Sequence, residues 1–440
     1  MESAQGPFDC DVLVVGGGPG GSTAAALLQR RGHRVIQLEK DRHPRFHIGE
    51  SLLPCNLPIM EELGVLEKVR ALGVLKLGAD FPSGDQGYQT FHFRRALGDS
   101  PPHAFQVKRE EFDQMLFEHA RESGVDAREG VRVERVEVDG IGTVTASARD
   151  ASGNERTLRA RYLVDASGRD TLLGNALKLK RKNVKHQSAA IFAHFRGVEC
   201  RPGDEAGNIS IYRFDHGWCW FIPLRDGVMS VGCVCWPEYL KQRRGRNEAF
   251  LIDTLKQMPA AWARMTNAEM ISDVRVTGNY SYTCSRMAGP GWVMVGDAFA
   301  FVDPVFSSGV YLAMNSAQFA SGVVDGALRD PAAQRRLNRE FERRVRRGLK
   351  TFQWMIYRMT SPIMRNLIMH PRDIFGVQRA VISFLAGDVY DSGPVRRRVM
   401  MFRGIYYLSS IKHWRQAWRS VVNRNNAILP QAIRATDGSG

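Results

Sequence analysis

Three glycines at G-x-G-x-x-G spacing carry the first chemistry in this chain. Gly16, Gly18 and Gly21 lie within DVLVVGGGPGGSTAAALLQRRGHRVIQLE, residues 11–39. Gly16 permits a tight turn, Gly18 lets the backbone approach a pyrophosphate, and Gly21 lets the following helix pack close to its strand. The helix N-terminus offers free N–H groups and a positive dipole end to phosphates. Glu39, 23 residues beyond Gly16, is placed to accept hydrogen bonds from both ribose hydroxyls. An acid there disfavours a 2′-phosphate, so the pattern calls for FAD or NAD rather than NADP. Lys76, between Leu75 and Leu77, reads either as an amine in an apolar wall with a depressed pKa or as a surface lysine on an edge strand. Trp218 and Trp220 alternate and so face one side of a strand, as core residues or as the wall of a site. Ser307-Ser308-Gly309 opens a helical pattern, where free N–H groups hold an anion or a serine caps them.

These residues need a frame to position them. Residues 11–39 read as strand, glycine turn, helix and strand. Residues 43–54, HPRFHIGESLLP, form a loop without a clean period, and residues 56–72 read as helical. Residues 76–107 read as short strands of a second sheet, and 105–124 pass from strand to an amphipathic helix. Segments 131–138, 143–149 and 157–164 read as a three-stranded meander ending in LVDASG. Residues 188–236 alternate strongly and suggest a mixed, substrate-facing sheet, and 240–268 are helical. A return strand ending in GD near residue 296 arrives about 280 residues after the first strand, followed by a long helix from about Ser308. Residues 332–430 read as helices broken at Pro362, Pro371 and Pro394, with a frayed tail ATDGSG. The expected organisation is a first FAD-binding segment at 1–75, substrate-layer strands at 76–107, a second FAD-binding segment at 108–187 and a substrate-layer sheet at 188–274. A return strand and long helix at 275–330 and a basic helical region at 331–440 complete it.

The totals narrow the class. Hydrophobic residues make up 44% and charged residues 24% of 440, ordinary for a globular protein with two or three domains. There is no run of 18 apolar residues and no secretory pattern at the start, so a cytoplasmic protein is expected. Seven cysteines at 10, 55, 200, 219, 233, 235 and 284 include no C-x-x-C pair and read as reduced thiols, neither disulfide-bonded nor holding metal. Residues 331–440 hold 21 Lys and Arg against 6 Asp and Glu, the whole net charge of +15. A basic third beside a neutral body suggests an acidic partner or an anionic surface, or simply a solvated helix face; nucleic acid is not called for.

The ordered set VVGGGPGGSTAA, Arg109 in VKREEFD, Asp165 in LVDASG and Asp297 in VMVGDAFAFVDP resembles the FAD-contacting motifs of the flavoprotein monooxygenase superfamily. Trp218-Cys219-Trp220-Phe221-Ile222-Pro223 matches W-x-W-x-I-P of the flavin-dependent halogenases, and DPVFSSGVYLAMNSA (303–317), IGESLLP (48–54) and FLAGDVY (384–390) resemble the members acting on phenols and pyrroles. The resemblance covers roughly residues 9–390. It implies an α/β fold: a Rossmann-like FAD-binding domain with an inserted mixed β-sheet substrate layer and a helical C-terminal region. It implies cofactor contacts from Gly16, Gly18, Gly21, Glu39, Arg109, Asp165 and Asp297, a halide site at Ser308 and Gly309, and a wall of Trp218, Trp220 and Pro304. In the family, FADH2 from a separate flavin reductase reacts with O2 to a hydroperoxide, chloride or bromide is oxidised to hypohalous acid, and a lysine presents electrophilic halogen to an aromatic ring. Lys76 stands where that lysine is placed.

One departure bears on the substrate. The tryptophan-directed members carry a glutamate before S-T-G, whereas PVFSSG has no acid between Asp303 and Gly309. That favours a phenol, a pyrrole or another activated ring, free or on an acyl or peptidyl carrier protein, over free tryptophan. The basic C-terminal third is expected to form a lid that docks such a carrier, with an anionic membrane as its rival. Two other readings remain: a monooxygenase or reductase of the same superfamily, which needs neither Lys76 nor the tryptophan pair, and a non-catalytic flavin-binding protein.

Overall fold

The computed structural model describes residues 8–83, 87–139, 142–359, 361–369, 373–390 and 392–428. Pro371 and the tail ATDGSG lie outside the described residues.

The fold is α/β and Rossmann-like. Its first sheet is built from short apolar strands in the order 288–289, 292–294, 155–165, 10–15, 35–39, 126–129, parallel from Trp292–Met294 through Asp126–Glu129. Strands buried on both faces favour near-continuous apolar runs, and CDVLVV and VIQLE come close, interrupted by Asp11 in the first and by the buried Gln37 and Glu39 in the second. Strand Glu155–Asp165 also closes the antiparallel meander with Val144–Asp150 and Val131–Val138, so one strand serves both arrangements. Helix Pro19–Arg30 begins with proline in its first turn, where the missing N–H has no partner to lose. It packs between helix Arg109–Glu122 and the long helix Ser308–Arg329. A Cβ on Gly20 would stand 3.3 Å from the Ala313 carbonyl oxygen, so the two helices meet backbone to backbone.

The second sheet runs 300–301, 275–284, 180–196, 229–235, 217–223, 209–214, 78–82, 88–92. It is mixed: Ile209–Phe214 and Gly78–Pro82 are parallel, the other pairs antiparallel. Its faces bury different cores. Trp218, Trp220 and Ile222 join the main core, whereas Cys219 and Phe221 join a rear core under helices Asn247–Lys256 and Pro259–Trp262. The period of two in the sequence produces this division.

Some expectations need correcting. Residues 56–72 form two helices, Leu57–Glu62 and Leu66–Leu72, because Gly64 between them takes φ +72° and ends the first. The strands within 76–107 do not form one sheet. Gly78–Pro82 and Tyr88–His92 belong to the broad sheet, whereas Val74–Lys76 pairs only with Ala104–Gln106. Cysteines 219 and 233 are not free thiols: they face each other across adjacent strands and form a disulfide. Strand register, not sequence spacing, brings them together.

The C-terminal helices are Gln334–Ile356, Pro362–Met369, Val377–Ala386, Gly393–Lys412 and Trp414–Ile428. Phe384 of the third meets Phe306, just before the long helix, with ring centroids 5.3 Å apart. Among the described residues no helix is long and apolar enough to cross a membrane.

Candidate active site

One continuous cavity joins the glycine turn to the tryptophan strand and the start of the long helix. Gly16, Gly18, Glu39, Arg109, Trp218, Trp220, Asp297, Pro304 and Gly309 line it; Gly21, Asp165, Ser308 and Lys76 stand behind its surface.

The glycines differ in what they do. Gly16 takes φ +115°, and a Cβ there would lie 2.2 Å from the Ala166 carbonyl oxygen. A Cβ on Gly21 would lie 1.9 Å from the Gly16 carbonyl oxygen, so that position packs helix on strand. At Gly18 the nearest atom to an added Cβ is an Arg45 guanidinium nitrogen at 3.5 Å, so a side chain there would fill the cavity rather than clash with the fold. A cradle of this kind, at a helix N-terminus beside a guanidinium, fits a pyrophosphate.

Glu39 is buried. It accepts from Gly17 N–H at 2.5 Å and from Asp41 N–H at 2.9 Å, with Arg45 at 3.6 Å. Arg109, the first residue of its helix, forks onto Asp113 at 2.7 and 2.9 Å and donates to the Ile48 carbonyl at 2.7 Å. It therefore holds the 43–54 loop against the cavity. Burial would raise the Asp113 carboxyl, but the Arg109 guanidinium overrides it and keeps that carboxyl below its ordinary range. Asp165 lies beneath the turn, accepting from Ser167 N–H at 3.0 Å and Leu173 N–H at 2.8 Å. Burial raises its pKa.

Asp297 stands at the cavity wall. Burial pushes its pKa up to about 6 against the pull of Arg169 and Arg109. Its carboxylate has no hydrogen-bond partner among the described residues, which suits an acceptor for a cofactor hydroxyl.

The tryptophan strand forms the far wall. Trp218 and Trp220 lie on the cavity face with ring centroids 5.8 Å apart. Trp220 Nε1–H donates to Ser230 Oγ at 3.1 Å. Gly232 opposes Trp220, and a Cβ there would lie 2.3 Å from the indole, so the large residue requires the small one.

At the long helix, Ser307 takes φ +55° and makes no side-chain cap hydrogen bond. The serine cap is thus not realised, and the first-turn N–H groups keep no side-chain acceptor. Gly309 faces open space.

Lys76 is buried at 1% exposure. Its Nζ donates to Ser51 Oγ and to the Leu52 carbonyl, each at 2.9 Å, and lies 5.3 Å from the Phe93 ring centroid. Burial lowers its pKa to about 7. The surface-lysine alternative fails here, although Leu75 beside it is half exposed. Ser51 lines the cavity, so a single hydroxyl separates the cavity from the amine.

The sequence reading did not single out several cavity residues. Arg45, His47 and Glu50 come from the aperiodic 43–54 loop. His47 Nδ1–H donates to the Ile48 carbonyl at 2.8 Å, and burial pushes its pKa down to about 4, with Arg109 adding to the effect. Glu50 pairs with His194 at 2.8 Å. Arg169 binds Thr277 Oγ1 at 2.8 Å and the Gly278 carbonyl. Their one signal was charge and histidine crowding in a short loop. Among the described residues no cluster of His, Cys, Asp or Glu could hold a metal.

Comparison with known proteins agrees with this geometry. The FAD binding domain family matches residues 9–354. A tryptophan 2-halogenase of Chondromyces crocatus is 39% identical over 73% of this chain, which spans 62% of that protein's length. A 1H-pyrrole-2-carbonyl-[peptidyl-carrier protein] chlorinase of Pseudomonas fluorescens is 30% identical, over 87% of this chain and 90% of that one. A solved flavoprotein/dehydrogenase of Cytophaga hutchinsonii superposes with a TM-score of 0.84 at 28% identity, covering 92% of this chain and 99% of that one. With a cofactor cradle and a tryptophan wall on one cavity, a buried lysine just behind it, and these relatives, the chain belongs to the flavin-dependent halogenases.

Proposed function

We propose that this chain is an FADH2-dependent halogenase that installs chloride or bromide on an electron-rich aromatic ring. The observation that carries the reading is Lys76, a buried amine tied through Ser51 to the cavity that holds the glycine turn and tryptophan pair. Bound reduced FAD supplies the O2 activation that converts halide to hypohalous acid. The chain's own residues do the rest. Gly16, Gly18 and the helix they open hold the pyrophosphate, with Gly21 keeping that helix close to its strand; Glu39 takes a ribose. Asp297 accepts a cofactor hydroxyl, and Arg109 and Asp165 hold the loops around the cofactor. Ser308 and Gly309 offer N–H groups to halide beside Pro304. Trp218 and Trp220 close the wall between cofactor and substrate. Lys76, uncharged in a large fraction of molecules near neutral pH, would take the halogen from hypohalous acid with release of water and pass it to the ring, whose displaced proton returns to the amine.

The substrate proposed is a phenol, a pyrrole or a comparable activated ring, free or tethered to a carrier protein, in the cytoplasm. The absence of an acid in PVFSSG supports that class, and the carrier-bound substrate in the name of the pyrrole chlorinase supports the tethered form. The tryptophan 2-halogenase keeps indoles on the test panel. A separate flavin reductase would supply FADH2. A second reading, a monooxygenase or reductase, draws on the likeness to the Cytophaga flavoprotein/dehydrogenase. Incubation with a flavin reductase, O2, chloride or bromide and a phenol, pyrrole and indole panel separates them. A halogen isotope pattern in the product supports the first. A product heavier by oxygen alone supports the second. Flavin turnover with no product leaves a flavin-binding protein.

A further inference from the structure

We infer that the last two helices, Gly393–Lys412 and Trp414–Ile428, seat the protein on an anionic lipid surface. Helix Gly393–Lys412 is apolar on two faces. Val395, Val399, Phe402 and Tyr406 are buried against the body, at helical spacing. The opposite face leaves Leu408 at 70% and Ile411 at 71% exposure. The next helix continues the stripe at i, i+4, i+7 and i+8 with Trp414 at 62%, Trp418 at 66%, Val421 at 53% and Val422 at 37%. Side chains of this size are not left two-thirds exposed on consecutive helices without something to cover them.

The surrounding charge selects the occupant. Residues 393–428 contain Arg396, Arg397, Arg398, Arg403, Lys412, Arg415, Arg419 and Arg424, and no Asp or Glu. Arg396, Arg397, Lys412, Arg415 and Arg419 are exposed, and none has an ion-pair partner among the described residues. A second copy would bring cations against cations. The apolar side chains project outward instead of lining a groove, which suits a fluid interface better than a shaped protein partner. Trp414 and Trp418, with the Arg415 guanidinium 5.6 Å from the Trp414 ring centroid, are of the type that settles at the headgroup boundary. The cations then face anionic headgroups.

The test is vesicle flotation of the full-length, flavin-loaded protein. It does not depend on halogenation, so it can succeed or fail independently of the proposed activity. Vesicles of equal parts phosphatidylglycerol and phosphatidylcholine should carry the protein up at low salt. Pure phosphatidylcholine, or high salt, should not. Ile411→Ser/Trp414→Ser/Trp418→Ser should weaken binding on the order of tenfold or more while retaining its flavin. Should that variant lose flavin, Arg415→Gln/Arg419→Gln replaces it and should lose the preference for the anionic vesicles. Three results overturn the proposal: no flotation on anionic vesicles, equal flotation of wild type and variants, or a lipid-free dimer that the apolar variant dissolves. Capture of an acidic carrier protein through this stripe with no vesicle binding overturns it as well.

Discussion

Lys76→Met replaces the buried amine with an apolar side chain of similar length, and its effect should depend on pH in a defined way. Burial takes the amine from an ordinary pKa of 10.5 down to about 7 in the folded protein. The unfolded chain therefore binds an extra proton between those values, and folding stability rises with pH across that window. Below about pH 7 the lysine opposes folding by about 5 kcal/mol, from 1.36 kcal/mol per pKa unit. At about pH 9 that opposition has fallen to about 2 kcal/mol. Methionine removes the opposition and also the two hydrogen bonds to Ser51 and Leu52, worth about 1 kcal/mol each. Lys76→Met should thus be about 2–3 kcal/mol more stable than wild type at about pH 6 and nearly equal to it at about pH 9. Urea unfolding of both proteins at the two pH values measures this. The variant should also consume FADH2 and O2 yet give no halogenated product. A stability difference that does not change with pH would refute the claim that the folded amine loses its proton near neutrality, and full product yield would refute its role.

Gly18→Val should place a side chain in the cradle and abolish FAD binding with little change in fold; retained affinity on titration would put the cofactor elsewhere. Ser51→Ala should lower halogenated product about fivefold, since its hydrogen bond to Lys76 is worth about 1 kcal/mol, while FADH2 oxidation stays unchanged. FAD affinity should weaken as pH falls through about 6, where Asp297 takes up its proton and becomes a poorer acceptor, and Asp297→Asn should flatten that dependence. Denaturing alkylation without reductant should label five of the seven cysteines, and all seven after reduction; seven in both cases would remove the Cys219–Cys233 bond.

Legibility followed sequence distance. The glycine turn, Glu39 and the tryptophan alternation could be read because each rests on short-range geometry: a turn, a helix start, a period of two. The centre of the parallel sheet was legible because CDVLVV and VIQLE are mostly apolar and buried, whereas its edge strand DARE, largely polar and only partly buried, was not. Lys76 was legible as a residue but not as a site. Its acceptors, Ser51 and Leu52, come from a loop upstream, and its strand partner from residues 104–106, pairings that no local pattern encodes. Arg45, His47 and Glu50 escaped for the same reason: their loop has no period, and its shape is set by Arg109 holding the Ile48 carbonyl. The disulfide escaped because spacing along the chain does not pair Cys219 with Cys233, whereas the hairpin register sets them opposite each other.

The strand Gly217–Pro223 has a consequence for how this enzyme can change. Positions 218, 220 and 222 face the cavity, while 219 and 221 face the rear helices. A mutant library at the even positions would reshape the reaction chamber with the backing layer untouched, and one at the odd positions would tune robustness with the chamber untouched. Losing or gaining a single codon would exchange the two sets, putting Cys219 and Phe221 into the chamber and both indoles into the rear layer. This stretch of the gene is open to replacement and closed to insertion or deletion.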